Sequence, residues 1–214
     1  GILRISTMMN DSFLPAAAPL IVFSLFGVLL SAALCSRQTD MKSLIAFSSV
    51  SHMGLVIAAS LIKTQWSVTG AMILMISHGL VSSALFCLAN TSYERSHTRT
   101  LVLLQGTQVI FPLAAAWWLI TALMNMALPP SPNFIGELSI LTSLFQWSNF
   151  TLILTSLGII LTTIYSLYLF WSSQREYPPS HLKLMPPTQT REHILLSLHI
   201  LPAAMLIFNP NLMF

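Results

Sequence analysis

The stretch ALPPSPNFIGEL, residues 127–138, interrupts an uncharged run from Thr100 to Gly136 that is too long for one regular helix. Pro129, Pro130 and Pro132 remove backbone donors and clash with the preceding turn, so the run reads as two half-helices, about 106–128 and 134–147. Four positions into the second half stands Glu137, with uncharged neighbours for many residues on either side. A broken apolar helix leaves carbonyls and amides that need water or polar side chains, and a buried acid suits the cavity they line.

Composition places that break in a membrane. Of 214 residues, 55% are hydrophobic and 7% charged, with mean hydropathy +0.76; a soluble domain carries roughly 25% charged residues. Nine Lys+Arg and six Asp+Glu cannot solvate a globule of this size, which excludes a cytosolic enzyme, a disordered tail and a nucleic-acid partner. Cys35 and Cys87 both lie in apolar runs and read as small buried hydrophobes, not as a disulfide framework or a metal site. No GxGxxG, P-loop, CxxC or acidic metal cluster occurs, so no nucleotide, iron–sulfur or metal site is expected. The opening GILRIS has neither an initiator Met nor the basic region and cleavage site of a signal peptide, and reads as the start of a fragment.

Charges delimit the other spans, because a helix needs about 20 largely apolar residues to cross the hydrocarbon. Residues 13–36 hold no charge and stop at Arg37; residues 43–62 carry only His52, and residues 70–90 only His78. Two more runs follow at about 150–171 and 191–209, the last containing Pro202. The expected fold class is an all-α polytopic membrane protein of about six transmembrane helices, one of them discontinuous at Pro129–Pro132, with residues 1–214 forming a single membrane domain.

Loop charges decide whether the broken element crosses once or twice, since Lys and Arg of short loops favour one side. With one crossing, Arg37, Lys42, Arg95, Arg99, Arg175, Lys183 and Arg191 share a side against Arg4 and Lys63, seven to two; with two crossings the count is four to five. One discontinuous crossing is therefore expected, with the basic face on the matrix or cytoplasmic side and the C-terminus opposite. The sequons at Asn10, Asn90 and Asn149 then fall on both sides of the membrane, which argues against glycosylation.

Four residues are candidates for chemistry. A carboxylate at the centre of a membrane helix costs roughly 2.5–3.5 kcal/mol, so Glu137 should face a polar cavity, pair with a cation or hold its proton; the bland alternative is an acid reaching water beside the break. His52 lies nine residues past Ser43, about 13 Å into its span. It has Ser48, Ser49 and Ser51 beside it, and His78 has a similar depth among Ser77, Ser82 and Ser83. Two imidazoles at matched depth can relay protons, because histidine both accepts and donates near neutral pH; taken singly, each can equally be packing glue bonded to a hydroxyl. Lys42 is the weak candidate, better read as snorkelling to the basic face than as a site of proton uptake. The SYERSHTR stretch, 92–99, reads as a solvated loop able to touch another subunit, and Trp117 and Trp118 as packing rather than a quinone pocket.

Three longer stretches carry a family resemblance: RQTDMKSLIAFSSVSHMG (37–54), SHGLVSSALFCLANTSYERSHTR (77–99) and LPPSPNFIGELSIL (128–141). The chain resembles, from Gly1 to Phe214, the second half of the chain 4 family of mitochondrial NADH:ubiquinone oxidoreductase, the antiporter-like subunits of respiratory complex I. The resemblance implies two inverted five-helix repeats, each with a broken helix, of which this chain would hold the end of the eighth helix and the ninth to fourteenth. It also implies that Glu137 is the acid of the second broken helix and that His52 and His78 are the central histidines of a proton path. Further family residues, a glutamate and buried lysines, would lie upstream of Gly1. The implied activity is proton translocation across the mitochondrial inner membrane, coupled to electron transfer from NADH to ubiquinone. NADH, FMN, the iron–sulfur clusters and ubiquinone would belong to other subunits, with no cofactor on this chain. The implied partners are other membrane-arm subunits, above all the neighbouring antiporter-like ones, and lipids. An independent cation/proton antiporter, or a scaffold whose polar residues only hold helices together, are the alternatives.

Overall fold

The computed structural model describes residues 2–8, 14–175 and 186–208; the sequon at Asn10 and the basic-face charge Lys183 lie outside them. Among the described residues the chain is helical. After the short α1 (Ile2–Met8) come α2 (Leu14–Cys35), α3 (Met41–Ile62) and α4 (Gln65–Ser96). A 3-10 turn at Leu101–Leu104 and the short α5 (Thr107–Ile110) precede α6 (Pro112–Asn125), α7 (Pro132–Trp147), α8 (Asn149–Gln174) and α9 (Thr190–Phe208). Helices α2, α3, α4, α8 and α9 are each long and apolar enough to cross a membrane.

Helices α6 and α7 have 14 and 16 residues, about 21 and 24 Å at 1.5 Å per residue, so neither alone spans a hydrocarbon core of about 30 Å. Helix α4 serves as the ruler for how they combine. Arg95, in its last turn, stacks over the Phe111 ring at the start of α6, and Trp118 shares a buried cluster with Val81 and Leu85. Farther back along α4, Leu74 meets Gly136 and Gly70 meets Ile140 of α7. The two half-helices thus follow one another antiparallel to α4. The end of α8 returns to where α6 began, since Gly106 N–H donates to Arg175 O at 3.0 Å and Thr107 Oγ1 to Ser173 O at 2.9 Å. One interrupted crossing satisfies this; two crossings would put the end of α8 at the other face.

The same contacts gather the expected basic face. Met41 N–H donates to Arg99 O and Leu101 N–H to Thr39 O, both at 3.0 Å. Lys42 and Arg99 each stack over Tyr93, and Arg95 pairs with Glu192 at the start of α9. Lys63 occupies the opposite end, where its left-handed backbone (φ 61°) stops α3 and Thr64 caps α4 by accepting from Ser67 N–H. Asn90 and Asn149 lie towards opposite ends of the bundle, as that topology requires.

Two boundaries differ from expectation. Helix α4 continues to Ser96, so most of the SYERSHTR stretch is helix rather than solvated loop, ending where His97 turns left-handed (φ 52°) and its N–H caps Tyr93 O. The charges there do not stop the helix because Arg95 has found Glu192 to neutralise it. The first half-helix begins at Pro112, not at 106. Residues 101–110 bend away by 118°, because Gly106 is left-handed (φ 75°), Phe111 is non-helical, and Pro112, lacking an N–H, suits the first turn of a helix.

The interior is layered along the membrane normal. One buried apolar cluster, with Met41, Leu44, Leu85, Leu88, Trp118 and Leu169, lies toward the basic end. A second, with Ile21, Leu55, Ala59, Leu74, Ile140 and Leu144, fills the other end. Between their contributions on α3 and α4 come the buried polar residues Ser51 and His52, and Ser77 and His78, while on α7 the buried Asn133 and Glu137 precede Ile140 and Leu144 of the second cluster. Large apolar side chains such as Phe23, Leu30, Trp171 and Met205 point outward, as a lipid solvent permits.

Candidate functional site

The polar layer converges on Glu137. Its position follows from the break: Ser131 caps α7 by accepting from Phe134 N–H, Pro132 opens the first turn, and Glu137 then points inward one turn later. Gly136 lets α7 approach α4 closely, because a Cβ there would stand 3.0 Å from Leu74 N. The carboxyl is 6% exposed as a residue, while His52 and His78 are 1% and 4% exposed.

Glu137 Oε1 lies 3.2 Å from His52 Nδ1. The separation is that of an ion pair, yet the ring is not aligned for a hydrogen bond, and neither His52 nitrogen has a hydrogen-bond partner in the folded chain. The His52 and His78 rings stand 5.0 Å apart between centroids, tilted by 38°. His78 Nδ1 is likewise buried without a partner. Three titratable groups from three helices are therefore in series: His78, His52, Glu137. Histidine and carboxyl groups both bind and release protons, so three of them buried side by side have the chemistry that proton transfer needs.

Lys42 stands apart from this trio. It is at the first turn of α3, ten residues or about 15 Å from His52, with its Nζ 3.2 Å from Asn90 Oδ1 and over the Tyr93 ring. Trp117 donates from Nε1 to His193 Nδ1 at 3.0 Å, fastening α6 to α9. Three residues of the polar layer were not singled out from the sequence. Tyr165 on α8 is fully buried with its hydroxyl 3.4 Å from Ser51 Oγ, next to His52. Asn125 and Asn133, on either side of the break, are also buried. Their signal was available: Asn133 and Glu137 are four apart, hence on one helix face, and a buried asparagine beside a helix break is seldom incidental. Among the described residues no group of three or more His, Cys, Asp or Glu gathers to hold a metal ion.

Comparison with known proteins meets this geometry. A family profile described as "NADH:quinone oxidoreductase/Mrp antiporter, TM" matches residues 1–163, which include the whole trio. NADH-ubiquinone oxidoreductase chain 4 of Scyliorhinus canicula is 56% identical over 212 residues, covering 99% of this chain and 46% of its own length. The corresponding chain 4 of Polypterus ornatipinnis is 55% identical, with the same coverage. The chain thus spans about half the length of the curated relatives it matches. A chain of respiratory complex I from Thermus thermophilus superposes with TM-score 0.83 at 26% identity, over 91% of this chain and 41% of that one. A chain of the Mrp complex from Dietzia shares the fold, with TM-score 0.76 at 19% identity over 90% of this chain and 44% of that one. With a family match over three quarters of its length and a buried acid beside a broken helix, the chain belongs to the NADH:quinone oxidoreductase/Mrp antiporter transmembrane family.

Proposed function

We propose that this chain is part of a proton-translocating membrane-arm subunit of respiratory NADH:ubiquinone oxidoreductase, and that protons pass along His78, His52 and Glu137. The observation that carries the reading is the 3.2 Å approach of the His52 imidazole to the buried Glu137 carboxylate, with His78 stacked behind it. Electron transfer from NADH to ubiquinone, and with it FMN and the iron–sulfur clusters, is assigned to other subunits. The role of this chain is protonic. A charge or conformational change in a neighbouring antiporter-like subunit alters the field at Glu137, which releases its proton and is reloaded through the histidines. The membrane is the mitochondrial inner membrane, with the basic end at the matrix and α9 running toward the intermembrane space. Lipids cover the outward apolar faces.

The fold shared with the Mrp chain favours one other reading, an independent cation/proton antiporter. Dependence on NADH separates them: the proposed role requires NADH oxidation, whereas an antiporter exchanges ions across an imposed gradient without it. The deciding substitution is Glu137→Gln in the complete enzyme, which keeps size and polarity but cannot exchange a proton. An assembled complex with proton pumping and coupled ubiquinone reduction lowered at least about tenfold is expected, a barrier change of roughly 1.4 kcal/mol or more. Wild-type pumping in that complex would reject the assignment.

A further inference from the structure

Asn125 and Asn133 flank the break and are not used by the relay described above. Asn125 is the last residue of α6 and Asn133 the second of α7. They are 3% and 0% exposed, and each holds a side-chain carbonyl oxygen with no hydrogen-bond partner in the folded chain. The Asn133 amide nitrogen donates to Met124 O at 3.0 Å, a carbonyl that also accepts from Ala127 N–H at 3.2 Å. Its oxygen, on the other side of the same planar group, remains available. A buried carbonyl oxygen in a membrane interior is costly unless it accepts from water or from a protonated group.

Its surroundings say which. Glu137 lies one helical turn beyond Asn133 on the same face. The register of α7 on α4, Gly136 against Leu74 and Ile140 against Gly70, brings Asn133 level with Ser77 and His78. His78 Nδ1 is buried there and also unpartnered. On the α6 side, Asn125 follows the buried Thr121 by one turn, so the polar face continues across the break.

We infer that Asn133 and Asn125 hold water at the break and thereby position a proton bridge between His78 and Glu137, parallel to the direct His52 contact. The inference rests on the relay reading above and adds two positioning residues to it. In the step, His78 imidazolium gives its proton to the held water as that water gives another to the Glu137 carboxylate. Only N–H and O–H bonds form and break, and the net change is one proton moved from imidazolium to carboxylic acid. The asparagines do not titrate; their oxygens orient the water.

The test compares Asn133→Leu and Asn125→Leu with Asn133→Gln and Asn125→Gln in the complete, assembled enzyme, with Glu137→Gln alongside. The leucines remove the acceptor oxygen, and the glutamines keep a neutral amide oxygen. Expected are leucine variants with pumping per unit time reduced about threefold, less than in Glu137→Gln because the His52 contact still serves the acid, with an enlarged slowing in D2O, and glutamine variants that recover most of the rate. Should Asn133→Leu fail to assemble through loss of the Met124 contact, Asn125→Leu carries the comparison. Leucine variants that pump at the wild-type rate, or glutamines as impaired as leucines, would overturn the inference while a defective Glu137→Gln leaves the relay standing. A wild-type Glu137→Gln complex would remove the relay itself.

Discussion

At the scale of the residue, Glu137 and His52 form a contact whose length matters more than its sign. Shortening the acid by one methylene keeps a titrating group but moves it off the 3.2 Å approach to His52 Nδ1. Glu137→Asp should therefore pump at a rate between wild type and Glu137→Gln, measured in assembled complexes. The histidines make a sharper test of series transfer. His78 feeds both the His52 contact and the water bridge, so His78→Gln should be the worse single variant, and adding His52→Gln to it should cost little more. Losses in pumping that multiply, with assembly falling in step, would identify both rings as packing groups. The three residues were legible in the sequence because an ionisable side chain inside a long apolar run is conspicuous. Tyr165, Asn125 and Asn133 were not, because hydroxyl and amide groups are common in membrane helices and become informative only through their neighbours.

At the scale of the element, the crossing of α4 and α7 sets the depth at which Glu137 meets the histidines. Two glycines permit it. A Cβ on Gly136 would press on the Leu74 backbone, 3.0 Å from its nitrogen, and one on Gly70 would stand 3.1 Å from the Gly136 carbonyl. Backbone cannot yield as a flexible side chain does, so Gly136→Ala should destabilise the subunit by about 1–3 kcal/mol, read as a lower thermal midpoint of the assembled complex. Gly27→Ala, on a helix face with nothing within 4 Å, is the control and should be neutral. The element that departed most from expectation was the start of α6. Pro112 was one proline among several in an uncharged run, and its role depended on the left-handed Gly106 and the bend before it.

At the scale of the whole molecule, the basic end is a fastening as well as a topological marker. Arg95 and Glu192 join α4 to α9 with side chains only 9% and 14% exposed. Removing one partner strands a partly buried charge, so Arg95→Ala or Glu192→Ala should cost up to about 3–5 kcal/mol and loosen α9, seen as faster proteolysis near residues 186–190. The charge-reversed pair Arg95→Glu with Glu192→Arg should restore much of the loss. Topology is checked separately with an impermeant thiol reagent. Arg37→Cys and Arg99→Cys should label from one side of the membrane and Lys63→Cys from the other. Labelling of Arg99→Cys and Lys63→Cys from the same side would break the arrangement of α4.

What the sequence by itself determined is one-dimensional: membrane residence, the approximate spans, the break at the prolines and a single crossing through it. These follow from the thickness of the hydrocarbon, the cost of charge within it and the geometry of proline, which act on each segment alone. Which way each helix faces was decided by tertiary structure. Membrane helices are apolar on nearly every face, so hydrophobic periodicity carries little directional information. Only packing turned His52 of α3 and His78 of α4 toward Glu137 of α7, brought the break-side asparagines inside, and closed apolar clusters above and below the polar layer. Residues 85 positions apart, such as His52 and Glu137, become partners because close packing of glycines and small side chains leaves one depth at which the half-helix fits.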